Sequence, residues 1–194
     1  KIGSLIESPA FYKNETAFEN LKRFSILSPT SDEEIHNLLK LVRLDDTGKK
    51  KVGAFSFGMK QRLGIALALL GKPELLILDE PINGLDPSGI KEIRDIILEL
   101  NTKGVTFLIS SHLLDELGKI ATNYGIVANG KLVEEITSVE LDEKCRTSLK
   151  LNVDDTQKAI SIISKNYPEM KLEHLDNIIR IISEVEDSSV IVEM

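Results

Sequence analysis

The sequence predicts an α/β fold, in which helices flank a parallel sheet, followed by a small α+β appendage. Up to residue 136, short apolar runs alternate with segments whose apolar residues recur at helical spacing. This alternation is typical of parallel sheets. After residue 136 the chain changes to short alternating runs around one helical segment, which is typical of an α+β unit. We therefore expect two regions, 1–136 and 137–194.

The opening strand is expected to lead through a loop into two helices. Thr16 is a suitable N-cap for the first helix, which should extend to Leu27. Ser31 and Glu34 are spaced as in a capping box, so a second helix should begin there and extend to Leu41.

A third helix should begin after Ser56 and end where Gly71 and Pro73 interrupt the apolar spacing. The next segment, 75–80, reads Leu-Leu-Ile-Leu-Asp-Glu, and its aliphatic run fits a central parallel strand buried on both faces. Ligands bind at the carboxyl ends of such strands, so the two acids predict a site there. A strand that simply runs into an acidic turn is the alternative.

The elements that follow are predicted from periodicity and turn residues. We expect a helix over 88–103, an apolar strand from Val105 that leads to His112, and a short helix. A hairpin should then turn at Asn129-Gly130.

The appendage should contain a strand over 149–153 and a helix that Asp154 caps and that stops near Tyr167. It has no recognisable catalytic set, so a packing or regulatory role is expected. Three further strands are predicted, at 170–172, 178–182 and 190–192.

Composition and charge restrict the class of function. Of the 194 residues, 42% are hydrophobic and 28% are charged, as is normal for a globular protein. The formal charge of −7 gives no basic footprint, so no nucleic-acid partner is expected. No apolar run approaches the ~18 residues that a membrane span needs. The single cysteine, Cys145, cannot form an internal disulfide and fits a reducing cytoplasm.

Four motifs carry a resemblance to the nucleotide-binding subunit of an ABC transporter. Residues 56–62 resemble the signature motif of that family, 75–80 its Walker B strand, 84–87 its D-loop and His112 its switch histidine. The order and spacing of the four agree with the family over residues 1–136, the nucleotide-binding domain that the resemblance implies.

The resemblance implies a role for each polar residue at the strand ends. Asp79 would act on Mg²⁺ through ordered water, and Glu80 would be the base for, or orient, the attacking water. His112 would contact the terminal phosphate of ATP. The alternatives are strand-end carboxylates and a satisfied histidine at a helix start.

Ser56 and Gly58 begin a helix, and a helix N-terminus of this kind suits a phosphate. The resemblance implies that they grip nucleotide held by a second subunit, and that Asp86 lies at the interface between the two. Phe57 and Met59 depart from the usual Leu-Ser-Gly-Gly-Gln, and the departure resembles bacitracin and lantibiotic exporters.

Glu7 stands where the family usually has a glutamine that touches magnesium and the attacking water. A carboxylate would add charge near the metal. The alternative is a glutamate in a surface loop.

The family's phosphate-binding loop is missing from these residues. Such a loop requires Gly-x-x-x-x-Gly-Lys followed by Ser or Thr, and none of the Gly-Lys pairs here is followed by either. We therefore expect an N-terminally incomplete domain that is inactive by itself.

The resemblance implies an ATP-binding and ATP-hydrolysing exporter subunit that uses Mg²⁺ and acts in peptide-antibiotic export or immunity. It would form a head-to-tail dimer with a second copy and drive a separate membrane permease from the cytoplasmic face. Two alternatives remain: an ABC-type ATPase that acts on ribosomes or DNA without a membrane partner, and a non-catalytic fragment.

Overall fold

The computed structural model describes residues 1–6, 10–145, 148–168, 170–175 and 178–182. The chain divides into two compact units, Lys1–Ile120 and Ala121–Met194. The boundary after Ile120 reflects contacts within each unit. The predicted boundary at 136 is based on sequence motifs, and it stays a prediction.

A three-stranded parallel sheet forms the centre of the first unit. Its strands are β1 (Ile2–Leu5), β2 (Leu75–Asp79) and β3 (Thr106–Ser110), in the order β1-β2-β3. The parallel register places Asp79 opposite Ser110. The α/β class and the central position of the strand that ends in the two acids are thus as predicted.

The two faces of β2 differ in burial. Leu76 and Leu78 are fully buried, whereas Leu75 and Ile77 are half-buried on the opposite face. The prediction of burial on both faces is therefore wrong for the residues described, because their helices cover only one face completely. On that face, the backbone around Ala68 lies directly against β1 at Gly3. A Cβ added at Gly3 would lie only 2.1 Å from the Ala68 carbonyl oxygen, so the close approach requires glycine there.

Two helices with capping boxes follow the first strand: α1 (Ala17–Phe24) and α2 (Asp32–Leu41). The Thr16 hydroxyl accepts from the Glu19 N–H at 3.2 Å, and the Glu19 carboxylate accepts from the Thr16 N–H at 2.7 Å. The first helix ends at Phe24 rather than at Leu27, because the residues after it form turns.

The first unit is completed by α3 (Phe57–Ala68), α4 (Pro87–Thr102) and the short α5 (Leu114–Leu117). These bounds agree with the sequence to within a few residues. Aliphatic side chains from the helices and the sheet form one core, whose fully buried members include Leu21, Ile35, Leu44, Leu63, Ile65, Leu76, Leu78, Ile93 and Ile96.

The second unit begins with a hairpin, β4 (Asn123–Ala128) and β5 (Lys131–Thr137). Asn129 and Gly130 have φ values of 51° and 72°, as a tight hairpin turn of the primed type requires. A helix that the sequence analysis missed, α6 (Ser138–Cys145), comes next. Its signal was present, because Thr137 and Glu140 exchange the two hydrogen bonds of a capping box.

The rest of this unit is an antiparallel sheet with one helix. The elements are β6 (Ser148–Asn152), α7 (Thr156–Asn166), β7 (Lys171–Leu175) and β8 (Ile178–Ile182), with strand order β6-β8-β7. Asp155, not Asp154, caps α7, since its Oδ1 accepts from the Lys158 N–H at 3.0 Å. The strand predicted at 190–192 lies outside the described residues.

None of the helices in the described part of the chain is both long enough and apolar enough to cross a bilayer.

Candidate functional site

The carboxyl ends of β2 and β3 bring two polar side chains together. Asp79 is the last residue of β2, and Ser110 is its partner at the end of β3. The Ser110 hydroxyl donates a hydrogen bond to Oδ1 of Asp79. The adjacent ends of two parallel strands therefore form a polar edge, at the position where ligands bind in open α/β sheets.

Glu80 follows the strand in an unusual backbone conformation. Its φ of 48° lies in the left-handed region, which costs a residue with a Cβ about 1–2 kcal/mol. Its N–H points at Ser110, 3.1 Å from the carbonyl oxygen and 3.2 Å from Oγ. The end of β3 thus holds Glu80 in a conformation that it would otherwise seldom adopt.

His112 lies beside Glu80. Its Nδ1 is 2.9 Å from Oε2 of Glu80. An ionised carboxylate only accepts, so the Nδ1–H donates, and in the neutral imidazole Nε2 is then left as an acceptor. The His112 side chain is 61% exposed and that of Glu80 33% exposed, so a ligand can reach both. The structure therefore brings together Asp79, Glu80 and His112, three residues that the sequence singled out.

The chain after Glu80 makes a tight turn into α4. Gly84 in this turn has a φ of 74°. Asp86 is the N-cap of α4, and its Oδ1 accepts from the Gly89 N–H at 3.0 Å. A Cβ at Gly89 would lie 2.9 Å from that oxygen, so the glycine leaves room for the cap. Asp86 thus has a task within its own chain, and its role at a subunit interface stays a prediction.

The start of α3 is an open helix N-terminus. Ser56 is exposed, and its hydroxyl accepts from the Met59 N–H at 3.2 Å. The first N–H groups of a helix have no partner within it. A Cβ at Gly58 would meet only Leu85 Cδ2, at an ordinary 3.5 Å. Among the described residues, no contact therefore requires glycine at 58, and close approach by another molecule would explain it.

Phe57, which departs from the family pattern, is 47% exposed. Its ring lies near Gly84, where an added Cβ would be 3.6 Å from Cε1. The bulky side chain therefore occupies space beside the turn that precedes α4.

Arg62 fixes α3 to its two neighbours. Its guanidinium donates to the carbonyls of Val42 at 3.2 Å and Arg43 at 2.8 Å, beyond the end of α2. Its Nε lies 3.3 Å from Oε2 of Glu92 on α4. The helix that presents Ser56 is thereby tied to both α2 and α4.

The side chains at the polar edge suit magnesium better than a metal ion that needs three or more protein ligands. Within the described residues, no group of three or more His, Cys, Asp or Glu side chains is placed to hold a metal. Magnesium is usually bound by one or two carboxylates together with waters and substrate phosphates, so Asp79 fits this requirement. Glu7, the other predicted magnesium residue, lies outside the described residues.

Ser110 was missed in the sequence. Ser110 and Ser111 are adjacent and alike, and only the register of β3 against β2 shows which hydroxyl faces the acids. The Ser111 hydroxyl instead accepts from the Leu113 N–H at 3.1 Å, within its own turn.

Comparisons with known proteins agree on one family. Residues 1–83 match the family model described as ABC transporter. The bacitracin transport ATP-binding protein BcrA of Bacillus licheniformis is 46% identical over 186 residues, which are 94% of this chain and 61% of that protein. The lantibiotic transport ATP-binding protein SrtF of Streptococcus pyogenes is 48% identical over 135 residues, or 70% of this chain and 59% of that protein.

A solved structure agrees as well. The ADP conformation of MJ1267, an ATP-binding cassette of an ABC transporter, matches with a TM-score of 0.63 at 27% identity, over 70% of this chain and 60% of that one. The chain spans about three fifths of the length of these curated relatives.

Proposed function

We propose that the chain is a member of the family of ABC transporter ATP-binding proteins, which its family-model match and its relatives support, and that it carries the magnesium-side and water-activating part of an ATP-hydrolysing site. The observation that carries the proposal is the cluster of Asp79, Glu80 and His112 at one edge of the sheet. A strand that merely ran into an acidic turn would need neither the histidine contact nor the left-handed backbone at Glu80.

Each residue of the cluster has a separate task in the proposed reaction. Asp79 would hold magnesium, and the bound ion would offset negative charge on the phosphates. Glu80 orients the attacking water and accepts its proton. His112 keeps the Glu80 carboxylate in place through its Nδ1–H. Nε2 would donate a hydrogen bond to the terminal phosphate when the ring carries a proton on both nitrogens.

The start of α3 acts on nucleotide held by a second copy of the protein. The support is its exposure and the glycine at 58 that the unit's own packing leaves unexplained. A helix N-terminus with free N–H groups favours a phosphate. Two copies arranged head to tail would thus complete two sites, each with a polar edge from one copy and a signature helix from the other.

The phosphate-binding loop of the site comes from sequence other than residues 1–194. Its support is the absence of Gly-x-x-x-x-Gly-Lys-Ser/Thr from these residues. Asp79 and Glu80 repel phosphate unless a cation is present, so these residues by themselves should bind ATP weakly and leave it unhydrolysed. Isothermal titration with Mg-ATP tests this, and micromolar binding with phosphate release would contradict it.

The transport reaction is the export of a peptide antibiotic or lantibiotic, driven through a separate permease at the inner face of the membrane. The relatives' names, bacitracin transport and lantibiotic transport ATP-binding protein, support this assignment. The same names favour transport over an ATPase that acts on ribosomes or DNA.

Glu80→Gln in the protein that includes the phosphate-binding loop tests the proposed reaction. It keeps the size of the side chain but removes the carboxylate, so hydrolysis should fall roughly 10²–10⁴-fold while ATP binding persists. Glu99→Gln is the control, because Glu99 pairs with Lys103 on the surface of α4. Near-normal phosphate release by Glu80→Gln would contradict the assignment.

A further inference from the structure

Ser110 is in contact with both acids of the cluster. Its hydroxyl proton is directed to Oδ1 of Asp79, which leaves the oxygen lone pairs available to the Glu80 N–H at 3.2 Å. The Ser110 carbonyl oxygen accepts from the same N–H at 3.1 Å. One residue of β3 therefore fixes the side chain of Asp79 and the backbone of Glu80 at once.

The backbone of Glu80 needs such support. A φ of 48° is disfavoured for any residue with a Cβ, and it persists only where the surroundings impose it. In this conformation Oε2 of Glu80 lies 2.9 Å from Nδ1 of His112. If the backbone relaxed to an ordinary φ, the direction of the side chain would change and this contact would be lost.

Packing does not account for a serine at this position. Ser110 is exposed, and β3 is at the edge of the described sheet. Replacing it should therefore cost little packing energy, since an exposed side chain contributes little buried apolar surface. The polar contacts of Ser110, rather than burial, distinguish it.

We propose that Ser110 is a positioning residue of the site, which holds Glu80 in its left-handed conformation and keeps Asp79 and Glu80 in fixed relation to His112. The proposal rests on the proposed ATP hydrolysis. The hydroxyl does not touch ATP in this proposal and acts only through the two acids.

The test uses Ser110→Ala, Ser110→Thr and Thr106→Val. Ala removes the hydroxyl, whereas Thr retains it in a side chain well suited to a strand. Thr106 lies on the same face of β3 at its other end and is also exposed, so Thr106→Val is a matched loss of a hydroxyl.

In the protein that includes the phosphate-binding loop, Ser110→Ala should lower kcat about 10- to 100-fold, the range expected when a catalytic group is misplaced. KM for Mg-ATP should change less than kcat, because the hydroxyl reaches the nucleotide only indirectly, through Asp79 and its magnesium. Ser110→Thr should restore kcat, and Thr106→Val should behave as the wild type.

A second readout is independent of turnover. Hydrogen exchange at the Glu80 amide, followed by NMR in the 194-residue chain, should be faster in Ser110→Ala and return to the wild-type rate in Ser110→Thr. Unchanged exchange in Ser110→Ala would overturn the proposal, as would a loss of kcat that Ser110→Thr fails to restore.

Glu80→Gln separates this proposal from the proposed function. If Glu80→Gln hydrolyses ATP normally, the proposed function fails and this inference fails with it. If Glu80→Gln is inactive and Ser110→Ala is fully active, only the role of Ser110 is overturned.

Discussion

Two regions of the molecule differ in how their polar groups are bonded: the polar edge around Asp79 and the start of α3 at Ser56. At the edge, each side chain has a partner in the same chain: Ser110 bonds Asp79, and His112 bonds Glu80. At the helix start, the Ser56 hydroxyl accepts from the Met59 N–H and has no other partner among the described residues, and Ser56 is exposed. The side chains of the first region are held by partners in the same chain, whereas the second presents an exposed helix N-terminus, which under the proposed function would bind an anion.

Under the proposed function, this difference would correspond to a division of the chemistry between two copies. A group that must orient water benefits from being held in advance by its own chain. A group that must signal the arrival of a partner is more useful if it stays unoccupied until then.

The largest effect is expected from mixing two inactive variants. Ser56→Arg should block the helix start, and Glu80→Gln should disable the polar edge, so each variant alone should be nearly inactive. If each site takes its edge from one copy and its helix start from the other, mixed dimers contain one intact site. Mixing should then restore up to about a quarter of the wild-type sites.

Phosphate release from the mixture, measured against each variant alone, checks this expectation. The control is a mixture of Glu80→Gln with Asp79→Asn, which damage the same edge and should not complement each other. Failure of the first mixture to regain activity, with dimer formation verified by sedimentation, would show that both regions serve the same chain's site.

A smaller effect is expected at Asp86, the N-cap of α4 at the end of the turn that follows Glu80. Asp86→Ala removes the N-cap of α4 and should lower the free energy of unfolding by about 1 kcal/mol. Asp86→Asn keeps an oxygen for the Gly89 N–H and should recover most of that stability. Urea denaturation of the variants measures both. If Asp86→Asn regains stability but the dimer still fails to hydrolyse ATP, the carboxylate has the interface role that the sequence predicts.

The smallest effect concerns an ion pair outside both regions. A hydrogen bond from Lys72, together with the N–H and hydroxyl of Ser31, lowers the pKa of Glu34 from 4.5 to about 2. Because this pKa is lowered on folding, the ionised pair contributes stability above pH 4.5, and that contribution is lost as the pH falls towards 2.

Lys72→Met should therefore raise the pKa of Glu34, although the bonds from Ser31 should still keep it below its ordinary value. An NMR titration of the Glu34 carboxyl group measures this change, with Lys103→Met as the control because Lys103 pairs with Glu99 instead. An unchanged pKa would show that Ser31 alone accounts for the shift. ATP hydrolysis should be unaffected, because the pair lies in neither region.

The sequence predicted the elements that periodicity and capping determine. The apolar run 75–80 fixed where β2 ends, and with it the position of Asp79 and Glu80. Thr16, Ser31 and Ser56 each cap the helix expected of them, because a cap is a local interaction within a few residues.

The features that were missed depend on distant parts of the chain or on weak local signals. The contacts of Ser110 need the pairing of β2 with β3, residues separated by a whole helix. The left-handed backbone at Glu80 has no signal in its own side chain, which is not a glycine or an asparagine. At Asp154-Asp155 two equivalent caps are adjacent, and only the folded geometry selects the second.

The left-handed backbone of Glu80 means that the residue best for stability at position 80 differs from the residue that the proposed activity needs. Replacing Glu80 by glycine would remove the Cβ that makes φ near 50° unfavourable, and it should raise the free energy of unfolding by about 1 kcal/mol even though the acid is lost. A laboratory evolution experiment that screens for thermal resistance alone would therefore tend to enrich glycine or asparagine at position 80. The carboxylate, and the proposed hydrolysis with it, would then be lost. A glutamate at this φ lowers the stability of the fold, a cost that a site requiring a carboxylate at position 80 would have to bear.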